Sequence, residues 1–194
     1  MPGRKPGQRR VDILHTLAGM LETPRWEKVT TAALAARLDV SEAALYRHFA
    51  SKAQMYEGLI EFIEETLFGL INRIATEEAS GLKQIEKSIT MLLGFAQKNP
   101  GMTRVLIGDA LVHEDDRLQM RINQLLDRVE ASLKQSLRFA AQQGEIPESA
   151  DQVAYASLLL SMVVGRWHQF AKSGFKRDPV VLWPEHWKAV VSSF

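Results

Sequence analysis

Cysteine is absent from the 194 residues, which excludes disulfides, thiolate zinc sites and a cysteine nucleophile and suits a reducing cytosol. No apolar run approaches the ~20 residues needed to cross a bilayer. The basic N-terminus is followed by an amphipathic segment containing Asp12 and His15 instead of the apolar stretch of a signal peptide, so a cytoplasmic protein is expected. Catalytic signatures are equally scarce. The histidines His15, His48, His113, His168 and His186 form no His-x-x-x-His pair, and neither a phosphate-cradling glycine loop nor a Gly-x-Ser-x-Gly elbow occurs. His113-Glu114-Asp115-Asp116 has metal-ligating residue types, but such a cluster is expected to cap a helix, whose N-terminal dipole favours Glu and Asp. Trp183 and Trp187, four apart, are expected to pack and not to form a ligand cage. An enzyme is not expected, nor a cofactor or a bound metal. Strand alternation, repeats and low-complexity linkers are missing too, which leaves an all-α fold of one or two domains with the apolar (46%) and charged (24%) content of ordinary soluble proteins.

What is present is concentrated between Thr30 and Lys52. Thr30 or Thr31 caps a short helix to Leu38 made of the best helix formers, Ala32, Ala33, Ala35 and Ala36, with Leu34 and Leu38 on one buried face. Asp39-Val40 makes a turn in which Asp takes the positive φ usually left to glycine. Ser41 caps the next helix, where Leu45 and Phe49 face the core and Glu42, Ala43, Tyr46 and Arg47 face outward. This is a helix-turn-helix whose second helix fits a major groove. The small Ala43 and Ala44 allow close approach to base edges, Arg47 reaches a guanine or a phosphate, and Tyr46 and His48 donate to phosphate oxygens. Ser51 and Gln54 form a capping box that places Lys52 in the first turn of a further helix, beside an expected phosphate.

Charge supports double-stranded DNA as the partner. The first ten residues carry Arg4, Lys5, Arg9 and Arg10 and no acid, and residues 1–52 hold nine Lys/Arg against five Asp/Glu. The other 142 residues hold 15 against 18. A chain of net charge +1 thus hides a basic head on an acidic body. The head is expected over 1–51 and a dimerisation and regulatory body over 52–194.

Helical spacing continues along the body. It predicts a first helix over Arg9–Glu22 ended by Thr23-Pro24, then helices over Ser51–Glu78, Leu82–Asn99, Met102–Val112 after a Pro100-Gly101 stop, and Asp115–Gln143. Ser149 and Gln152 form a second capping box for a helix to about Ser173, and a last helix from near Pro179 is disturbed by Pro184. The segment Val153–Phe170 is apolar almost all round, so it needs cover on every side. Either the subunit's own core or a second subunit supplies that cover; the second is the favoured expectation, with Tyr155, Leu159, Val163 and Trp167 as the seam of a homodimer. A two-fold dimer then presents two reading helices ~34 Å apart to a pseudo-palindromic site.

The run Val11–Lys52, above all Val40–Lys52, resembles the N-terminal domain of TetR-type regulators, which implies a three-helix head on a helical body. Leu59–Glu65, Leu92–Phe95, Asn99–Arg104 and Asp116–Leu125 resemble a subfamily of those regulators that acts in nucleoid occlusion; the resemblance runs over residues 9–138 and fades after Phe139. It implies that DNA-bound dimers on the nucleoid engage the division protein FtsZ, through positions that correspond here to Phe62, Met91, Gly94, Lys98 and Asn99. Helical spacing by itself puts Phe62 in the core, and this chain has Leu70 where the subfamily tends to be basic and Lys98 where it tends to be Arg, a change that alters a bidentate contact. The other function open to such a body is that of a repressor released by a small apolar ligand, held among Leu106, Ile107, Leu111, Leu125 and Trp167.

Overall fold

Apolar residues recurring at three and four fold almost the whole chain into helices. The computed structural model describes residues 7–23, 29–112 and 114–194. Among these residues there are nine α-helices and no strand: α1 (Gln8–Met20), α2 (Thr31–Arg37), α3 (Glu42–Tyr46), α4 (Lys52–Glu77), α5 (Gly81–Lys98), α6 (Pro100–Leu106), α7 (Asp116–Gln142), α8 (Gln152–Lys172) and α9 (Trp183–Val191), with a 3₁₀ turn at Asp109–Leu111. The expected stop at Pro24, the basic residues Arg4 and Lys5, and His113 lie outside the described residues. No helix among them is long and apolar enough to cross a membrane.

The residues cluster into two compact units, one from the described residues of 1–63 and 99–122, the other from 64–98 and 123–194. The division expected at residue 52 coincides with the start of α4; by compactness, the first half of α4 and residues 99–122 go with the head.

In the first unit, Ile13, Leu14, Leu17 and Leu21 are buried, as are Leu34, Leu45, Phe49, Met55 and Leu59. Burying that much apolar area, at about 25 cal/mol per Å², is what orders helices as short as α2 and α3. α6 packs on α1 through Gly101, where an added Cβ would stand 2.9 Å from the Ala18 carbonyl carbon, closer still to its oxygen, and 3.2 Å from Leu21 Cβ. Buried Arg104 donates to Asp109 at 2.9 Å and to the Thr23 carbonyl at 3.2 Å, holding the end of α1 to α6.

In the second unit, α5 packs against α8, burying Ile85, Ile89 and Leu93 on one side and Leu159, Val163 and Trp167 on the other; Trp167 Nε1 donates to the Leu92 carbonyl at 3.2 Å. Buried Gln84 joins three elements. Its amide donates to the carbonyls of Ala75 and Glu78, and its oxygen accepts from Ser136 of α7 at 3.0 Å. Trp183 and Trp187 pack with ring centroids 5.6 Å apart, and Trp183 donates to Thr90.

Four details depart from the sequence reading. Pro100 ends α5 as expected, the break falling at Asn99, but the next helix starts at Pro100 and not at Met102, because at the first helical position the missing N–H is no loss. The expected helix over 102–112 breaks at Gly108, whose φ is +77°. Asp151, not Ser149, caps α8, accepting from the N–H groups of Val153 and Ala154 at 3.0 Å. Pro184 opens α9 instead of disturbing it, behind Leu182 at φ +68°.

Candidate nucleic-acid interface

The turn between α2 and α3 is built as the sequence implies. The N–H of Val40 reaches the Ala35 carbonyl and that of Asp39 the Ala36 carbonyl, a Schellman closure, with Asp39 in the left-handed region at φ +53°. Thr30 accepts from the Ala33 N–H at 3.1 Å and Ser41 from the Ala44 N–H at 3.3 Å, so both expected caps are in place. Leu45 and Phe49 are buried, and Glu42, Ala43, Tyr46, Arg47 and His48 are exposed, with Ala44 half-buried. The helix itself stops at Tyr46; Arg47 is its C-cap and His48 lies in the following turn.

Other side chains are committed to partners that spacing could not show. Thr31 donates to the Glu42 carboxylate at 2.6 Å, latching α2 to α3. Arg10 lies 4.3 Å over the Phe49 ring and its guanidinium donates to the His48 carbonyl at 3.4 Å, so an exposed cation is parked at the end of α3; Arg9 is half-buried. Ser51 accepts from the Gln54 N–H, but the Gln54 oxygen accepts from Ala50, one residue short of the capping-box partner. Lys52 forms an ion pair with Glu114, sixty-two positions downstream, and sits 5.6 Å from the ring of the fully buried Tyr56. Burial, with the Glu114 charge second, holds the Tyr56 hydroxyl in its protonated form far above the usual phenol range. Glu114 was readable only as a helix-capping acid, because no local pattern reports a contact across sixty-two residues.

The remaining expected positions fall as follows. Phe62 on α4 is half-buried, its ring edge-on to His15 at 5.5 Å. Asn99 is the N-cap of α6, its carbonyl accepting from Thr103. On α5, Met91 and Gly94 are half-buried and Lys98 exposed; they share the face opposite Ile85, Ile89 and Leu93, and a Cβ on Gly94 would meet nothing within 4 Å. The expected seam needs correction. Leu159, Val163 and Trp167 are each fully buried inside the subunit against α5, and half-buried Tyr155 donates to the Ser193 carbonyl at 2.6 Å with its ring 4.4 Å from Phe194. The side of α8 left open carries Val153, Leu158 and Gly165. Of the apolar residues expected to line a ligand pocket, Leu106, Leu111, Leu125 and Trp167 are buried, while Ile107 is half-buried.

A capped helix-turn-helix on a helical body is the architecture of TetR-type regulators. A TetR transcription regulator from Haloarcula marismortui superposes with a TM-score of 0.82 over 97% of this chain and 98% of its own, at 14% identity, which speaks for the fold. Residues 26–59 match the model of bacterial regulatory proteins of the tetR family, and residues 79–193 match the SlmA-like tetracyclin repressor-like C-terminal domain. The nucleoid occlusion factor SlmA of Alteromonas mediterranea is 50% identical over 194 residues, the full length of both chains. That of Marinomonas sp. is 47% identical over 97% of this chain and 96% of its own. The chain belongs to the SlmA-like family of TetR-type regulators.

Proposed function

We propose that this protein is a nucleoid occlusion factor: a homodimer that binds pseudo-palindromic sites on chromosomal DNA and, once bound, engages FtsZ and blocks division-ring assembly over the nucleoid. The observation that carries this reading is the full-length identity of about half with relatives of that name, more than a shared fold provides.

In the head, residues 1–51, Ala43, Ala44 and Arg47 face base edges. Tyr46, His48, Arg10 and the end of α4 at Lys52 face phosphates, while Thr30, Thr31, Ser41 and Glu42 set the angle between the two helices; Arg9 adds charge on α1. The body, 52–194, dimerises and meets the protein partner. Its seam is the open face of α8, Val153, Leu158 and Gly165, with exposed Leu182 and Val191 from the α9 region. The FtsZ-binding positions are those implied by the family resemblance, Phe62, Met91, Gly94, Lys98 and Asn99. Support from α5 is specific: a glycine inside a helix costs up to ~1 kcal/mol relative to alanine, and packing gives Gly94 no reason to lack a side chain. A flat strip between Met91 and Lys98 is such a reason.

The test is a genome-wide map of bound sites together with sedimentation of FtsZ polymers. Sites scattered over the chromosome and sparse near the terminus, with altered FtsZ polymers when a short site-bearing duplex is added, are expected. One or two promoter sites and unaltered polymers overturn the reading in favour of a repressor.

A further inference from the structure

The connection between α8 and α9 gathers positive charge around a cavity that neither the DNA-reading head nor the α5 strip uses; of its lining, Leu182 alone is shared with the proposed seam. An open cavity of about 440 Å³ is lined by Arg166 and Gln169 of α8, by Lys176, Arg177 and Asp178 of the loop, and by His186 of α9, with apolar walls from Pro179, Val181 and Leu182. Half-buried Arg166 spends its guanidinium on the loop itself: Nε donates to the Pro179 carbonyl, a terminal nitrogen to that of Val181, and the other lies 3.2 Å from His186 Nδ1. Three cations thus face one acid. Asp178 is also occupied, accepting from the Val180 N–H and from Gln97 at 2.8 Å. Among the described residues, no acid pairs with Lys176 or Arg177. Burial lowers the pKa of Arg166 and nearby Arg177 lowers it further, with Asp178 opposing.

We propose that this cavity binds the phosphate group of a small phosphorylated ligand. Three cations and one carboxylate leave two formal charges, which a phosphate dianion neutralises and a single carboxylate does not. The donors suit it. With Nδ1 accepting from Arg166, the neutral His186 ring carries its proton on Nε2 and donates from there. Lys176 and Arg177 are exposed and unpaired, free to fold over an oxyanion. The volume exceeds that of phosphate alone, so Pro179 and Val181 are left for the organic part. Phe175 and Leu182, non-glycine residues at φ +64° and +68°, flank this loop and hold it open at a cost in backbone strain. The proposal is independent of the occlusion reading.

Calorimetric titration of the full-length protein with inorganic pyrophosphate at constant ionic strength tests it, with succinate as the carboxylate control. Saturable pyrophosphate binding is expected, at least tenfold weaker in the double variant Lys176→Ala/Arg177→Ala, whose thermal midpoint without probe stays at the wild-type value. Arg47→Ala, altered on α3, keeps the response. No saturable binding, equal binding by the double variant, or loss in Arg47→Ala overturns the assignment. Equal affinity for succinate overturns the phosphate class. A double variant with weaker DNA binding and a flatter salt dependence identifies the cavity as a DNA contact instead, which also overturns the proposal.

Discussion

Replacing Gly101 by alanine adds one methyl group at the most crowded helix crossing of the first unit. That methyl would stand 2.9 Å from the Ala18 carbonyl carbon and nearer to its oxygen, with Leu21 Cβ at 3.2 Å on the other side. A backbone carbonyl cannot rotate out of the way, so α1 and α6 must separate by about an ångström, and overpacking of this kind costs ~1–3 kcal/mol, occasionally more. The better helix propensity of alanine offsets up to ~1 kcal/mol, and less at the second residue of a helix. Net destabilisation of 1 kcal/mol or more, on the order of a fivefold or larger shift in the folding equilibrium, is the expected outcome. Gly94→Ala supplies the internal control, because its methyl meets open space; the same exchange there stabilises by ~0.5–1 kcal/mol. Urea denaturation followed by far-UV circular dichroism measures both, a midpoint shift at constant slope being read as stability. The separation also displaces α1, and with it Arg10, so DNA affinity of Gly101→Ala falls as well. A Gly101→Ala protein as stable as wild type refutes the close-approach argument, and so does a Gly94→Ala protein that loses stability.

Further outcomes concern the surfaces. Glu114→Gln removes the acid that competes with phosphate for Lys52: affinity for random duplex rises several-fold at low salt, and the salt slope steepens by about 0.9 for one added phosphate, measured by fluorescence anisotropy; weaker binding would mean that Glu114 positions Lys52. Leu158→Asp, on the open face of α8, gives a folded monomer in analytical ultracentrifugation, whereas Val163→Asp unfolds the subunit because the charge is buried without a partner; a dimeric Leu158→Asp protein sends the seam elsewhere. Lys98→Glu leaves DNA affinity within twofold and abolishes the effect on FtsZ polymers in sedimentation, since exposed substitutions rarely change stability by more than ~0.5 kcal/mol while like charges across an interface cost several; retained FtsZ activity removes Lys98 from the contact.

Much of the head was legible because its determinants are local. The caps at Thr30 and Ser41 act within three residues, and the Asp39 turn closes within five. Pro100-Gly101 was rightly read as ending the helix before it, but its second role was not legible: proline supplies the first residue of α6 and glycine its close approach to α1. The stripe Tyr155, Leu159, Val163, Trp167 was rightly grouped on one face of α8, but periodicity does not say which way a face points, and three of its members turned toward α5. The Lys52–Glu114 pair joins residues sixty-two apart, and the loop that gathers Arg166, Lys176, Arg177 and His186 depends on left-handed Phe175 and Leu182, residues whose side chains do not favour that conformation.

The brevity of α3 has a consequence at the scale of a genome. Five residues, Glu42–Tyr46, rise ~7.5 Å along the helix axis, about two base steps of ~3.4 Å each. A reader of that length can check only a few base pairs in each half-site, so a dimer stores little sequence information, and acceptable words recur often in a long chromosome. Occupancy at many loci then depends on protein copy number and on local duplex deformability as much as on any one operator. A regulator of a single gene is poorly served by such economy of reading, whereas a protein that reports where bulk DNA lies gains coverage from it.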